Sequence, residues 1–463
     1  MKDNSTNEYT FRQMLPIIFA LAWPTMLEQF MQTTVQYIDT AMVGVLGTHA
    51  TAAVGATSTV NWLIGSTISA LGVGFLAYIS QSLGAGKIER ARKAAGQSVL
   101  IVIVTGIFFT IMLQLIKGFV PVWMQVDASI EADAATYFGI LYAPILFRTA
   151  SIIFGTELRS AGDTKTPMYV GIQVNLLNVI LNYLLIYKTR IVTLGSIALT
   201  VPGAGLDIKG AALASAIAYT WGGIAISYRF YNHSQISPKG QKIYPDTAIL
   251  SSVLKVAIPN MMQRFATSLG YVVFASMINA IGETATAAHT IANTVESAFY
   301  IPGWGMQTAA ATLSGNAYGA RDKKKLDILS KTVLPLEIFF MVISGSLLFI
   351  FAPSLVRLFT VDENVILLST TVLRMVAISE PFYGVPIIIE GMMQGLGKTV
   401  APFIYNVLGM WCIRIAGTYI CTVLLGLGLI SAWACMIGHN ILLFILFSYQ
   451  YVSGRWKAGK MSV

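Results

Sequence analysis

The sequence predicts an all-α integral membrane protein with twelve transmembrane helices in two related six-helix lobes. Three observations lead to this fold class. The 463 residues are 55% hydrophobic and only 11% charged, a composition that a water-soluble domain of this length does not tolerate. Apolar stretches long enough for a bilayer core of about 30 Å recur throughout, whereas barrel strands would alternate over about 10 residues. The chain also repeats itself, with its basic residues in alternate loops.

The apolar stretches divide the chain into twelve predicted spans. Turn-forming and charged residues separate them. The spans are 14–45, 51–82, 92–117, 132–157, 166–188, 208–231, 249–281, 286–317, 330–352, 364–394, 400–426 and 429–451.

The distribution of basic residues predicts the orientation. With a cytoplasmic N-terminus, the cytoplasmic segments hold 21 of the 30 Lys and Arg residues and the outside loops hold five. By the positive-inside rule, both termini lie in the cytoplasm of a multi-pass protein in the plasma (inner) membrane. The net charge of +9 therefore reflects topology, and we expect no nucleic-acid partner. The polar start, MKDNSTNEYTFRQ, is interpreted as a retained tail and not a cleaved signal.

A shift of 235 residues superimposes the two halves of the chain. Residues 24–60 lie over 259–295 with eleven identities in 37 positions, and GDTKTP (162–167) lies over GKTVAP (397–402). Each repeat holds six spans, an even number, so an axis along the membrane normal relates the halves, as in many secondary transporters. The predicted divisions are an N-terminal lobe (1–230), a cytoplasmic linker (231–248) and a C-terminal lobe (249–463).

The first span carries a polar stripe. At 100° per residue, Glu28, Gln32, Gln36 and Asp39 share one face, and the two acids lie about 16.5 Å apart along the axis. A carboxylate facing lipid costs about 2.5 to 3.5 kcal/mol, so the stripe faces other helices or water. It either joins helices or exchanges a coupling ion, and the two acids favour ion exchange. Pro24 predicts a kink just before this face.

Further acids lie in the second half of the chain. Glu296, Glu380 and Glu390 fall within apolar spans. They form either a negative wall for a cationic substrate or buried ion pairs, and both interpretations stay open. The arginines available for such pairs are Arg264, Arg374 and Arg414.

Three asparagines share one face of the fifth span. Asn175, Asn178 and Asn182 are spaced three and four residues apart. Hydrogen bonding between helices would explain them as well as a site would. His289 is interpreted as a packed polar residue and not as a proton relay.

The segments YIDTAMVG, ELRSAGDTKTPM and NLLNVILNYLLI, together with the repeat, resemble the multidrug and toxic compound extrusion (MATE) family, in particular its prokaryotic damage-inducible branch. This resemblance implies two six-helix lobes that form a V around a central cavity and that export organic cations in exchange for H⁺ or Na⁺. Asp39 matches the family's first-helix aspartate, and Asn175 and Asn178 match its fifth-helix asparagines. Where some relatives have a second aspartate this chain has Asn182, so Glu28 is the candidate second acid.

These observations predict two sets of site residues and no cofactor, catalytic group or dedicated metal site. The coupling ion is H⁺, with Na⁺ near Asp39 as the alternative, and we expect a monomer that binds small organic cations within the bilayer. The ion-coupling set is Asp39, Glu28, Gln36, Asn178 and Asn182. The substrate set is Gln32, Tyr37, Asn175, Glu296 and Glu390.

Other functions are less consistent with the sequence. It contains neither H-E-x-x-H nor G-x-S-x-G, and its Gly-Lys pairs lack the spacing of a phosphate-binding loop, so neither an enzyme nor an ATPase is predicted. Its three cysteines are interpreted as packing residues. The rival function is a flippase for lipid-linked precursors or polysaccharides of the same superfamily, for which we would expect extra spans and an arginine-rich cavity.

Overall fold

The structure is a computed structural model of the chain that describes residues 10–124, 127–194 and 197–457. Most of the predicted N-terminal tail and the last six residues lie outside this described part. All the predicted site residues lie within it.

The first six predicted spans form helices, and a β-hairpin that the sequence analysis did not predict follows the fifth. Strands β1 (Lys188–Leu194) and β2 (Ile197–Ala204) pair antiparallel with an irregularity between Lys188 and Arg190. The helices are α1 (Phe11–Gly44), α2 (Thr48–Gly84), α3 (Ile88–Ile116), the single turn α4 (Val120–Trp123), α5 (Glu131–Tyr142), α6 (Ile145–Ser160), α7 (Lys165–Leu185) and α8 (Asp207–Tyr231).

The last six predicted spans are helical as well. Their helices are α9 (Thr247–Asn279), α10 (Glu283–Phe299), α11 (Ile301–Gly319), α12 (Lys323–Val356), α13 (Glu363–Gly395), α14 (Val400–Leu424) and α15 (Leu429–Val452).

In the described part of the chain, nine helices are long and apolar enough to cross a membrane, and the bent pair α5–α6 makes a tenth span. The helix α9 and the pair α10–α11 occupy the two remaining predicted spans. Every predicted span therefore coincides with a helix or with a consecutive pair of helices.

Several helices are interrupted where their backbone hydrogen bonding changes. The axes of α5 and α6 differ by 50° at Pro144, whose nitrogen has no hydrogen to donate back to α5. Tyr300 separates α10 from α11 just before Pro302. In α14, the segments Gly409–Ile415 and Tyr419–Leu424 are π-helical, a form that appears mostly in short stretches at functional sites. By contrast, α1 is continuous through Pro24.

The chain forms two compact units. One contains α1 up to Met26, the segment Leu76–Lys87 and the chain from Ser251 onward. The other contains Leu27–Phe75 and Ile88–Leu250. The predicted linker thus ends next to a unit boundary, but parts of α1 and α2 group with the C-terminal half.

Small residues allow the close packing inside the first unit. The end of α2 lies against α11 at Ser80 and Gly84 on one helix and Gly315 and Gly319 on the other. These pairs are equivalent under the 235-residue shift, and small residues four apart let helix backbones approach closely. Around this contact, buried apolar side chains form the core, including Met14, Ile18, Met306, Leu313, Ile388, Met392 and Phe447.

Candidate functional site

The carboxylate of Asp39 lies against the polar face of α7. Asn182 donates a hydrogen bond from Nδ2 to Asp39 Oδ1 over 2.7 Å. Asn182 is almost fully buried and Asp39 is half-buried. The two positions are 143 apart in the sequence, so the fold and not the local sequence creates this contact.

The amide of Asn178 completes the contact with Asp39. With its nitrogen toward the acid, it lies 2.7 Å from Oδ1 and 3.0 Å from Oδ2, and its oxygen accepts a hydrogen bond from the Ser215 hydroxyl over 3.0 Å. The opposite orientation would place two acceptors against each other, so the hydrogen-bond network determines the assignment. Ser215 on α8 therefore orients Asn178, which in turn contacts Asp39.

In the described part of the chain, no basic side chain lies within ion-pairing distance of Asp39. Its carboxylate contacts neutral amides instead. The Oδ1 atom of Asn182 is buried without a hydrogen-bond partner in the described residues. Among the described residues, Asp39 is therefore a carboxylate that is held by amide dipoles and not by an ion pair.

Glu28, the predicted second coupling acid, forms an ion pair on its own turn of α1. Glu28 binds Arg159 at the end of α6, with Nη2 2.8 Å from Oε1 and 2.7 Å from Oε2. Both side chains are less than one-fifth exposed. The guanidinium of Arg159 offsets the cost of burying this carboxylate. Its predicted role in coupling stays a prediction that this contact argues against.

The remaining polar residues of α1 are more exposed. Gln32, Gln36 and Tyr37 present exposed side chains, and the main-chain oxygen of Gln36 accepts a hydrogen bond from Thr40 over 2.8 Å. No described contact joins the Gln36 side chain to Asp39, so its place in the ion-coupling set stays a prediction. Asn175 is half-buried one turn before Asn178. The predicted contact of Gln32, Tyr37 and Asn175 with a substrate stays a prediction.

In the C-terminal half, Glu390 is held by amides. Its Oε1 accepts hydrogen bonds from Gln263 over 2.9 Å and from Gln394 over 3.1 Å, and its Oε2 accepts one from Asn406 over 3.1 Å. Gln263 and Gln394 are the repeat equivalents of Glu28 and Arg159. Where the N-terminal half has the ion pair of Glu28 and Arg159, the C-terminal half has two glutamine amides that bind the carboxylate of Glu390.

Glu296 is buried on α10 and accepts a hydrogen bond from the Tyr300 hydroxyl. The described residues contain no ion pair between Glu296 or Glu390 and an arginine. Instead, Arg414 lies over the rings of Phe274 and Tyr271, with its Cζ 4.2 and 4.7 Å from their centroids. In the described residues neither Glu296 nor Glu390 therefore forms the direct ion pair that the pairing interpretation expects.

Sequence analysis missed several polar residues at or near these positions. Ser215 was one of many small residues in an apolar span, and Arg159 was counted only as a loop charge. Glu157 and Glu337 are fully buried acids. The carboxylate of Glu157 lies beside the Ser98 hydroxyl, whereas that of Glu337 has no hydrogen-bond partner in the described part of the structure. Glu337 is a single charge within an apolar run, a signal that could have been found, whereas Glu157 lies two residues before Arg159 at the end of its span. His289 accepts a hydrogen bond from Trp433, which agrees with a packing role.

Comparison with known proteins decides the family. Residues 24–184 and 259–420 match the family model MatE, and these two segments coincide with the internal repeat. The chain belongs to the MatE family. The predicted MATE transporter is thereby confirmed, and members of this family are transporters and not enzymes.

Individual MATE relatives match along nearly the whole chain. The probable multidrug resistance protein NorM of Thermotoga maritima is 27% identical over 95% of this chain and 92% of its own length. An outward-facing multidrug resistance MATE family transporter superimposes with a TM-score of 0.88 at 22% identity, covering 97% of each chain. A MOP superfamily transporter from Pyrococcus furiosus gives 0.86 at 23% identity over 98% of each chain. The solved structures confirm the predicted twelve-helix MATE fold.

Proposed function

We propose that this MATE-family protein is a multidrug efflux transporter that exports organic cations in exchange for protons. The observation that carries the proposal is the setting of Asp39, a half-buried carboxylate held by two asparagine amides. It can gain or lose a proton without first breaking an ion pair. The names of similar proteins, which include multidrug resistance proteins, support drugs as the substrates.

The donors around Asp39 favour a proton over a sodium ion. A sodium ion is a hard cation that needs several oxygen ligands, as hard cations do in general. Here the nitrogens of Asn178 and Asn182 both face the carboxylate. Proton binding requires only that one amide rotate to accept a hydrogen bond from the neutral acid.

The acids of the C-terminal half support a cationic substrate. Glu296 and Glu390 are buried and lack an arginine partner among the described residues, so positive charge on a ligand would offset their desolvation. Gln32, Tyr37 and Asn175 are the proposed substrate contacts in the N-terminal half. The transporter acts as a monomer in the plasma (inner) membrane. Its termini are cytoplasmic, in keeping with the distribution of basic residues.

Transport of a cationic dye into proteoliposomes tests this proposal. We expect an acidic lumen, but not a sodium gradient alone, to drive accumulation of ethidium. Asp39→Asn should abolish this accumulation while the purified variant still folds and binds ethidium. Asp133→Asn is the control, because Asp133 is exposed and pairs with His49 instead. Accumulation driven only by sodium, or undiminished in Asp39→Asn, would overturn proton coupling through this residue. A folded protein that moves no dye under either gradient would favour the flippase.

A further inference from the structure

Two of the three cysteines come together near one end of the C-terminal helix pair. The Sγ atoms of Cys421 on α14 and Cys435 on α15 lie 3.9 Å apart. Both residues are half-buried, whereas Cys412 is exposed and contacts neither of them in the described structure. The function proposed above uses none of these thiols.

The local backbone brings the two sulfurs together. Cys421 belongs to the π-helical turn Tyr419–Leu424, and its main-chain oxygen accepts a hydrogen bond from Leu427 over 2.8 Å, which begins the turn into α15. Gly417 lies opposite Cys435, where an added Cβ atom would come 3.0 Å from Sγ. A glycine at this position leaves room for the Cys435 side chain beside α14.

The pair lies close to the end of both helices. Cys421 is three residues before the end of α14 at Leu424, and Cys435 is six residues after the start of α15 at Leu429. At about 1.5 Å of rise per residue, both are within about 10 Å of the connecting turn. In the predicted topology this turn faces the outside, where disulfides form and persist more readily than in the cytoplasm.

We propose that Cys421 and Cys435 form an oxidative modification site, at which a disulfide links α14 to α15. The sulfurs are 3.9 Å apart, so an approach of about 2 Å brings them to the bonding distance of about 2.05 Å. In the reaction two S–H bonds break and one S–S bond forms. The two protons and two electrons pass to an oxidant of the disulfide class, which is reduced to its dithiol.

The disulfide would close a short loop around the turn between the helices. It would hold the π-helical end of α14 against α15 and reduce the freedom of the unfolded chain. We therefore expect the oxidised protein to unfold at a higher temperature than the reduced protein. The alternative is that the two cysteines only fill space between the helices.

The test treats the purified full-length protein in detergent with diamide, which takes up two electrons and two protons to become a hydrazine. Free thiols are then counted by the gel shift of a maleimide-linked polyethylene glycol, and peptide mass spectrometry locates the bond. We expect the wild type to fall from three reactive thiols to one, and Cys412→Ser from two to none. Cys421→Ser and Cys435→Ser should each keep both remaining thiols, and dithiothreitol should restore all losses.

Two further readings complete the test. Diamide should raise the thermal midpoint of the wild type and of Cys412→Ser, but not that of Cys421→Ser. Three reactive thiols after a dose that fully oxidises a reference dithiol would overturn the proposal. A bond that involves Cys412 or joins two molecules would overturn it as well. A lower midpoint after oxidation would show that the native geometry does not hold this pair ready to react.

Discussion

Gly84 packs against the main-chain carbonyl of Asn316, three residues before Gly319. In the same way, Gly319 packs against the main-chain carbonyl of Gln81, three residues before Gly84. An added Cβ atom at Gly84 would come 2.0 Å from the oxygen of Asn316, and one at Gly319 would come 1.9 Å from the oxygen of Gln81. The 235-residue shift exchanges the two halves of this contact. The repeat found in the sequence is therefore a physical symmetry where α2 lies against α11.

The glycines predict a stability effect. Gly84→Ala or Gly319→Ala forces two backbones apart, and overpacking of this kind costs about 1 to 3 kcal/mol or more. We expect the thermal midpoint in detergent to fall by roughly 5 °C for each variant. Gly44→Ala is the control, because nothing lies within 4 Å of its added Cβ atom. A Gly319→Ala protein that melts with the wild type would contradict the close contact.

The ion pair of Glu28 and Arg159 predicts a second stability effect. Arg159→Gln leaves Glu28 as a mostly buried charge without its partner, which costs on the order of 3 kcal/mol. The thermal midpoint should therefore fall by roughly 5 °C or more. The double variant Glu28→Gln/Arg159→Gln should recover most of this loss, because it carries no unpaired charge.

The exposed pair of Glu89 and Arg92 is the control for this experiment, since such pairs contribute about 0 to 1 kcal/mol. We expect Glu89→Gln to change the midpoint by less than about 2 °C. If Glu28→Gln alone abolished proton-driven transport without loss of stability, Glu28 would be a coupling acid after all, as the sequence suggested.

The sequence predicts the parts of the site that depend on residues of one helix, but not the contacts between residues of different helices. Helix periodicity placed Asn178 and Asn182 on one face of α7 and Asp39 on the polar face of α1, and the structure brings these residues together. Periodicity relates residues of one helix only. It therefore cannot select a partner on another helix, which is why Arg159 was missed as the partner of Glu28 and Ser215 as the partner of Asn178.

The fold shows the same division. Apolar length and basic loops were sufficient to find all twelve spans, because the bilayer imposes both. The π-helical turns of α14 and the hairpin after α7 were not predicted. A π-helical turn depends on which carbonyl each N–H group binds, and a hairpin depends on whether a polar loop pairs with itself. Both are determined by tertiary packing, which the composition of the sequence does not show.

The amide of Asn182 predicts an effect on transport. Asn182→Leu removes a hydrogen bond to a charged group, which is worth about 1.5 to 3 kcal/mol. We expect proton-driven ethidium uptake to fall about tenfold or more in proteoliposomes. Gln173→Leu removes an exposed amide from the same helix and should leave uptake within about twofold of the wild type. Equal uptake by Asn182→Leu and the wild type would show that this contact does not serve coupling.

The carboxylate of Glu390 predicts selectivity for charge. Glu390→Gln removes the negative charge and also turns a donor toward the amides of Gln263, Gln394 or Asn406. We expect the affinity for a cationic dye to fall about tenfold or more, while an uncharged dye of similar size binds as before. Such a difference separates loss of charge from loss of fold, since a misfolded site would bind neither dye. Glu296→Gln, measured in the same way, shows whether the second buried acid contributes. If both variants bind and move cations as the wild type does, the acids of the C-terminal half do not recognise the substrate.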